Sequence, residues 1–348
     1  MFTNIPWMLY GATGRTGTLI AEQAVARGHR PLLAGRDAAR LRPLAERLGL
    51  PWVAATPDDL TAVLGDSQLV LLAAGPFGST SGPVLEAALL AGVHYLDIAN
   101  DIDVTQRVLA TRTERLSALP AVGFGTVASD GLARRVADQV PGADRLELAV
   151  LVGTEGRSPG ARASTMAALA GGGRVRRDGV LVRTRLGAGA HSLATPVGVR
   201  TAVPMPTGDL VTSHRTTGIP NITVSVLMPM PVPAARLLLP ALPALVRAGR
   251  RRPGAGRRPA PVPSEGSAPA PPGRTAPESY VWARASAADG RSAEGWLRTG
   301  EGYGYTARSA VSTVEAVLAS GPLGATTVAA AFGPHIALSA GGELVATA

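Results

Sequence analysis

Apolar residues along the first 140 positions follow two alternating rhythms. Short, nearly unbroken apolar runs occupy residues 5–10, 31–34, 69–74 and 95–98. Between them, apolar residues return every three or four positions: Leu19, Ile20, Ala24 and Val25, then Leu41, Leu44, Ala45 and Leu48, then a stretch over residues 83–91. An unbroken run fits a strand buried on both faces, and a 3.6-residue period fits a helix with one apolar stripe. Strands and helices alternating at these lengths predict a parallel, doubly wound sheet. Residues 118–124 continue it as a strand and 130–139 as a helix.

From Arg145 onward the rhythm changes to polar–apolar alternation. It predicts strands over 145–152, 180–186, 199–203, 222–228, 279–285 and 293–298, with a helix over 162–170, and these group into a largely antiparallel sheet. The polar run Thr212–Thr217 reads as a connection between strands. A leucine-rich segment over 233–248 is interrupted by Pro240 and Pro243. It leads into a low-complexity stretch, basic and rich in proline, glycine and alanine, that is expected not to pack. A last helix is expected over 306–318.

Composition narrows the chemistry. The 348 residues include no cysteine, and all 34 basic residues are arginine. Disulfides, thiolate catalysis, Schiff-base lysines and a Tyr–Lys reductase pair are therefore excluded. Five histidines, at 29, 94, 191, 214 and 335, show no helical ligand spacing, so no metal site is expected. The isoelectric point is near 11. Yet +7 of the +9 net charge lies between Arg236 and Arg274, in a segment without aromatic residues, so no nucleic-acid partner is expected. The N-terminus lacks a basic leader and no apolar stretch is long enough to span a bilayer, so a cytoplasmic location is expected.

The first strand runs into Gly11-Ala12-Thr13-Gly14-Arg15-Thr16-Gly17 and then a helix. A glycine loop in that position turns backbone amides toward a pyrophosphate at the helix N-terminus, as in a Rossmann-type dinucleotide site. Gly11 would permit the turn, Gly14 the approach of phosphate, and Gly17 the packing of helix on strand. An ordinary strand-to-helix turn is the alternative. About twenty residues later, where NAD sites carry an acid for the ribose hydroxyl, stands Ala34-Gly35-Arg36. A guanidinium pairs with a 2′-phosphate, so Arg36, with Arg15 closing the other side, points to NADP (NADPH). The plainer readings are a solvated Arg36 and Asp37 as a helix cap. Ala74-Gly75-Pro76-Phe77 ends the fourth strand on the same edge, with Gly75 near the ribose and Pro76-Phe77 as a nicotinamide wall or, for Phe77, a core aromatic.

The fold class expected is α/β: a Rossmann-type doubly wound parallel sheet plus an α+β substrate domain with a mainly antiparallel sheet. The expected divisions are 1–140 for the cofactor domain, 141–300 for the substrate domain, with its basic Pro-rich loop at 249–278, and 301–348 for a helix and tail packing back on the first domain. Hydride transfer needs a donor to steady charge developing on the acceptor. Tyr303 and Tyr305, in a glycine-flanked turn, are the first candidates, against a packed hinge as their alternative. His214 is the third candidate, against a structural role. Asp130 reads as a helix cap or a group orienting substrate.

Several stretches together resemble the saccharopine dehydrogenase-like oxidoreductases, above all the bacterial branch that includes trans-acting enoyl reductases. They are YGATGRTG at 10–17, LAGR at 33–36, AAGPF at 73–77, EAALLAGVHYLDIA at 86–99, GFGTVASD at 123–130, GYGYTA at 302–307 and AFGPH at 331–335. The likeness covers 8–140 well and 300–336 fairly, and departs at Ala99-Asn100-Asp101 and Val328. It implies NADPH-dependent hydride transfer to an activated double bond. An enoyl thioester or polyketide or lipid intermediate is the leading acceptor; imine and carbonyl are less favoured. The resemblance implies a small-molecule or carrier-protein-tethered acyl substrate. From the residues, the leucine-rich segment is expected as a lid over the cleft, with an acidic acyl carrier protein docking on Arg250–Arg252 as an alternative, and a second copy of the chain is a further candidate partner. Contact of the leucine-rich segment with an anionic membrane surface is less favoured. A non-catalytic NADP-binding sensor or assembly factor, or a peripheral lipid-handling protein, stands as the alternative.

Overall fold

The computed structural model describes residues 6–153, 159–250 and 277–345. In chain order the first part is β1 (Trp7–Tyr10), α1 (Arg15–Ala26), β2 (Leu32–Gly35), α2 (Ala38–Leu48), β3 (Trp52–Ala54), α3 (Leu60–Val63), β4 (Leu69–Leu72), α4 (Phe77–Ala91), β5 (His94–Asp97), α5 (Ile102–Leu109), β6 (Ser117–Leu119) and α6 (Phe124–Asp138). These six strands pair in parallel in the order β3-β2-β1-β4-β5-β6. Parallel neighbours need crossover helices, which cover both faces, and β1 shows the consequence. Trp7 and Leu9 enter a cluster with Ile20 and Ala24 of α1, whereas Met8 and Tyr10 enter another with Val84, Leu85 and Ala88 of α4.

The second part is β7 (Arg145–Leu151), α7 (Pro159–Ala170), β8 (Gly173–Arg177), β9 (Val180–Thr184), β10 (His191–Leu193), β11 (Arg200–Pro204), α8 (Asp209–Thr217), β12 (Asn221–Met228), α9 (Val232–Leu238), α10 (Leu242–Arg250), β13 (Ser279–Ser286) and β14 (Ser292–Gly300). The chain ends with α11 (Gly302–Ser320), β15 (Gly324–Ala325), α12 (Val328–Phe332), α13 (His335–Ser339) and β16 (Glu343–Val345). The second sheet runs β10-β11-β12-β7-β13-β14-β16, antiparallel throughout except for the β12–β7 pair, and the β8–β9 hairpin joins it at β12. Its Leu146, Leu148 and Val150 share one cluster with Leu132, Ala133 and Val136 of α6. One apolar core thus joins the two sheets through α6.

The C-terminal segment serves both halves. Helix α11 lies along α1, where Arg27 donates to Ser312 Oγ at 2.8 Å and both Arg27 and His29 reach Glu315 at 3.0 Å. Strand β15 extends the parallel sheet beside β6, while β16 pairs with β14 of the other sheet.

Helix α4 begins at Phe77, six residues before the expected start, with Pro83 inside it, and three further differences bear on the site. Helix α6 begins at Phe124, so Asp130 lies buried within it and does not cap it. The strand before it ends early, at Leu119, because Ala121 takes a φ of 61° and turns the chain. The run over 212–217 is helix α8. Its buried face mixes Leu210 and Val211 with Thr212, Ser213 and Thr216, so no apolar period announces it. The leucine-rich segment divides at Leu239–Ala241 into α9 and α10, leaving Leu237, Leu238 and Leu245 exposed. Most of the basic loop, including Arg251, Arg252 and the Arg250 side chain, lies outside the described residues. No helix among the described residues is long and apolar enough to cross a membrane, and no group of side chains there could hold a metal ion.

Candidate functional site

The loop after β1 has the backbone geometry of an anion cradle. Gly11 has a φ of +92°, and a Cβ there would stand 2.6 Å from Ala74 N; a Cβ on Gly17 would stand 2.2 Å from Gly11 O. Neither position admits a side chain without moving backbone. Gly11 N and Ala12 N both donate to Ala34 O, fixing the loop to β2. Helix α1 starts at Arg15 behind Gly14, with no side chain capping its first turn and no acid in it. Gly14 N donates back to Gly11 O at 3.1 Å, and the amides of Thr13, Arg15 and Thr16 stand at the positive end of the helix dipole without a competing anion, which fits a pyrophosphate.

Around this loop the remaining predicted cofactor residues take different roles. Gly35 is buried at the end of β2 and accepts from Ala55 N at 2.9 Å, while Arg36 is exposed beyond it. Asp37 accepts from Arg40 N at 3.3 Å and caps α2. The Arg15 guanidinium lies 4.2 Å over the ring of Tyr303. Gly75 and Pro76 are exposed at the end of β4, with Ala74 O accepting from Thr80 Oγ1 at 2.6 Å. Phe77 packs against the apolar cluster under α4 and does not line the cavity described next.

That cavity, of about 260 Å3, lies between the carboxyl edge of the parallel sheet and the second sheet. Ile98, Ala99 and Asn100 enter it after β5, and Gly123 to Thr126 enter it from the first turn of α6. Val150 and Val152 come from the end of β7 and Val224 to Val226 from β12; α11 gives Gly302, Tyr303 and Thr306. In doubly wound sheets the carboxyl edge is where a dinucleotide and its reaction partner meet. The Arg15–Tyr303 stack ties the phosphate loop directly to this cavity wall.

The cavity is polar at one end. Asp209, the first residue of α8, is buried there and lines it, accepting from Ser129 Oγ. Burial pushes its carboxyl up from the ordinary 3.8, offset in part by Ser129, Thr207 and Asn100. Thr126 Oγ1, also on the wall, is buried with no hydrogen-bond partner among the described residues. Among the described lining residues Asp209 is the single charged one, and no arginine or lysine stands there.

Two further buried acids hold the surroundings. Asp97 accepts from Ala99 N and Ala121 N at 2.9 Å each, and from Tyr95 Oη at 2.9 Å. It thereby locks the two chain turns that feed the cavity, and burial raises its carboxyl to about 6. Asp130 accepts from Thr216 Oγ1 at 2.7 Å across the α6–α8 contact. Burial raises it to about 7, with Asp209 nearby adding to the rise.

Of the three predicted donors, only Tyr303 reaches the cavity. Tyr305, one turn position away, points into the core: it is buried, donates to Ala337 O at 2.8 Å and meets the Phe124 ring edge-on at 5.8 Å. His214 sits in the last turn of α8 with Nδ1 3.0 Å from Ile219 O, away from the cavity. The sequence reading missed Asp209, Thr126 and Thr306. Thr126 lay inside the GFGTVASD stretch, and Asn100 stood at a noted departure. Nothing around Asp209 marked it, since its partner Ser129 is 80 residues away.

Residues 11–134 match a family model described as NAD(P)H-binding. Trans-acting enoyl reductases of Mycobacterium tuberculosis and Mycobacterium leprae are 34% identical to the chain over 140 residues, 35% of this chain and 33% of each relative. The match thus spans about a third of the length of these curated relatives. Among solved structures, apo saccharopine dehydrogenase (L-Glu forming) from Saccharomyces cerevisiae superposes with a TM-score of 0.63 at 13% identity, covering 99% of this chain and 100% of that one. That likeness establishes the fold. The N-terminal domain is thus an NAD(P)H-binding domain, and the whole chain follows a saccharopine dehydrogenase-like course.

Proposed function

From an NAD(P)H-binding domain joined to a second sheet in the saccharopine dehydrogenase fold, we propose that the chain is an NADPH-dependent reductase of an activated double bond. The preferred acceptor is an enoyl thioester of a lipid or polyketide intermediate, the substrate class suggested by the names of the mycobacterial relatives. The observation that carries this is the lining of the cavity. Beside the phosphate loop it offers valine walls interspersed with neutral polar groups such as Asn100, Thr126, Ser225, Tyr303 and Thr306, one acid, and among its described residues no cation to receive a free carboxylate. A neutral acyl thioester suits such walls; an amino-acid imine bearing carboxylates does not.

Bound NADPH supplies the hydride. With the cofactor bound, the amides of Thr13, Arg15 and Thr16 would hold its pyrophosphate and Arg36 would pair with the 2′-phosphate. With Arg15 stacked on Tyr303, the 2′-phosphate preference rests on Arg36 rather than on the two arginines together. The valine walls exclude water, and Thr126 Oγ1 with the α6 N-terminus meets the acceptor carbonyl oxygen, where negative charge develops. A carrier-tethered substrate would arrive with an acidic carrier docked on Arg250–Arg252.

A cationic imine without a carboxylate is the second reading, because Asp209 would pair with its nitrogen. The test is NADPH consumption with a crotonyl thioester and with a neutral cyclic imine. Faster turnover of the thioester supports the first reading; turnover of the imine alone replaces it with the second, and turnover of neither leaves the sensor.

A further inference from the structure

We propose that Asp209 is the catalytic acid of this site, delivering the proton that completes reduction of the acceptor, with Ser129 as its positioning residue. This rests on the reductase reading above. Asp209 is the single acid on the described cavity wall and is 1% exposed. No ion pair engages it among the described residues. On the elements packed against α8, Asp130 of α6 and Asp101 and Asp103 at the start of α5 are acids; of their arginines, Arg107 bonds Ser81 Oγ, Arg134 pairs with Asp138 and Arg135 lies with Leu297 and His335. Arg176 of β8 is held by the carbonyl oxygens of Leu210 and Gly179. Arg215 and His214, on α8 itself, bond Ala325 O and Ile219 O. Burial, the larger effect, favours a neutral carboxyl, while the α8 N-terminus and the hydrogen bonds from Ser129, Thr207 and Asn100 favour the ionised form, so both states lie within reach.

The Ser129 hydroxyl fits either state of Asp209 by its hydrogen count. It has one hydrogen, yet stands 2.7 Å from Gly125 O while also contacting Asp209. When Asp209 carries a proton, it donates to Ser129 Oγ and Ser129 donates to Gly125 O, so every contact is made. When Asp209 is ionised, the hydroxyl turns to donate to the carboxylate and leaves Gly125 O. Ser129 therefore accommodates both states at one position, as a group that gives and regains a proton requires.

The step balances as follows. The acceptor β-carbon takes the hydride, oxidising the cofactor to NADP+, and the π pair moves onto the thioester oxygen. The α-carbon then takes the proton as the Asp209 O–H bond breaks and the carbonyl reforms. Asp209, now a carboxylate, is reprotonated from water before the next turnover.

The test compares wild type with Asp209→Asn and Ser129→Ala at full length, after checking that thermal stability and NADPH affinity are retained. With crotonyl thioester and NADPH, Asp209→Asn is expected to lower kcat about 100-fold or more and to abolish its fall at alkaline pH. Ser129→Ala should shift the midpoint of that fall. Wild-type kcat and an unchanged pH profile in Asp209→Asn would overturn the assignment. An independent readout is the infrared carboxyl band, titrated as the difference between wild type and Asp209→Asn. A component titrating above the ordinary carboxylate range supports the proposal, and one titrating within it overturns it. If wild type fails to reduce the thioester, the reductase reading falls while the infrared titration still decides the protonation of Asp209.

Discussion

The two halves of the site are built in opposite ways. The cofactor half as proposed rests mainly on seven consecutive residues, Gly11 to Gly17, with Arg36 added from the end of β2, and the conformation of the loop is set by backbone sterics and one helix end. The acceptor half draws short runs or single residues from the turn after β5 and from β7, β12, α6, α8 and α11, brought together by folding. A contiguous loop stores its function in local geometry, so a side chain added within it acts at once. A converged cavity stores its function in tertiary packing, so its members are separable and its weak points are the buried acids that hold it.

The sharpest way to break the local half is Gly17→Val. A side chain 2.2 Å from Gly11 O must displace the loop, so NADPH binding by titration should fall below detection. Retained binding would mean that the loop is not the cradle. The corresponding stress on the converged half is pH. Asp130 titrates near 7 in the folded chain against an ordinary 3.8. Its folded pKa lies above its unfolded one, so its contribution is complete below about pH 4 and is lost as pH rises through 7. The shift corresponds to a few kcal/mol, on the order of 1.4 per unit. Chemical denaturation should show stability declining from pH 5 to 8, and Asp130→Asn should flatten that decline.

A smaller effect is expected from Arg36→Ala. Losing a charge-assisted hydrogen bond should weaken NADPH about tenfold, roughly 1.4 kcal/mol, and leave NADH nearly unchanged. Equal losses for the two cofactors would remove the 2′-phosphate argument. Smallest is Tyr305→Phe, which deletes the hydrogen bond to Ala337 O but nothing in the cavity. It should cost about 1 kcal/mol of stability with kcat unchanged. A large loss of kcat would restore Tyr305 as a donor.

The same contrast explains what could be read in advance. The apolar runs around β1, β2, β4 and β5 are buried on both faces, so their pattern alone predicts a parallel sheet, and the glycine loop follows. Helix α8 escaped because Thr212, Ser213 and Thr216 share its buried surface with Leu210 and Val211, which breaks the apolar period, and Thr216 bonds Asp130 of α6. Asp209 escaped with it, as its meaning depends on Ser129 and on a cavity that exists only after the two sheets meet. Tyr303 and Tyr305 share one motif, yet helical geometry turns the first to the cavity and the second to the core.

The central claim is that the phosphate loop and the cavity form one hydride-transfer site for a neutral enoyl thioester. Reduction of crotonyl thioester with NADPH carrying deuterium at the transferable position of the nicotinamide tests it most directly, read by mass spectrometry and NMR of the product. One deuterium at the β-carbon, with the α-proton drawn from solvent, is the predicted result. Absence of deuterated product under conditions where NADPH binds would contradict the claim.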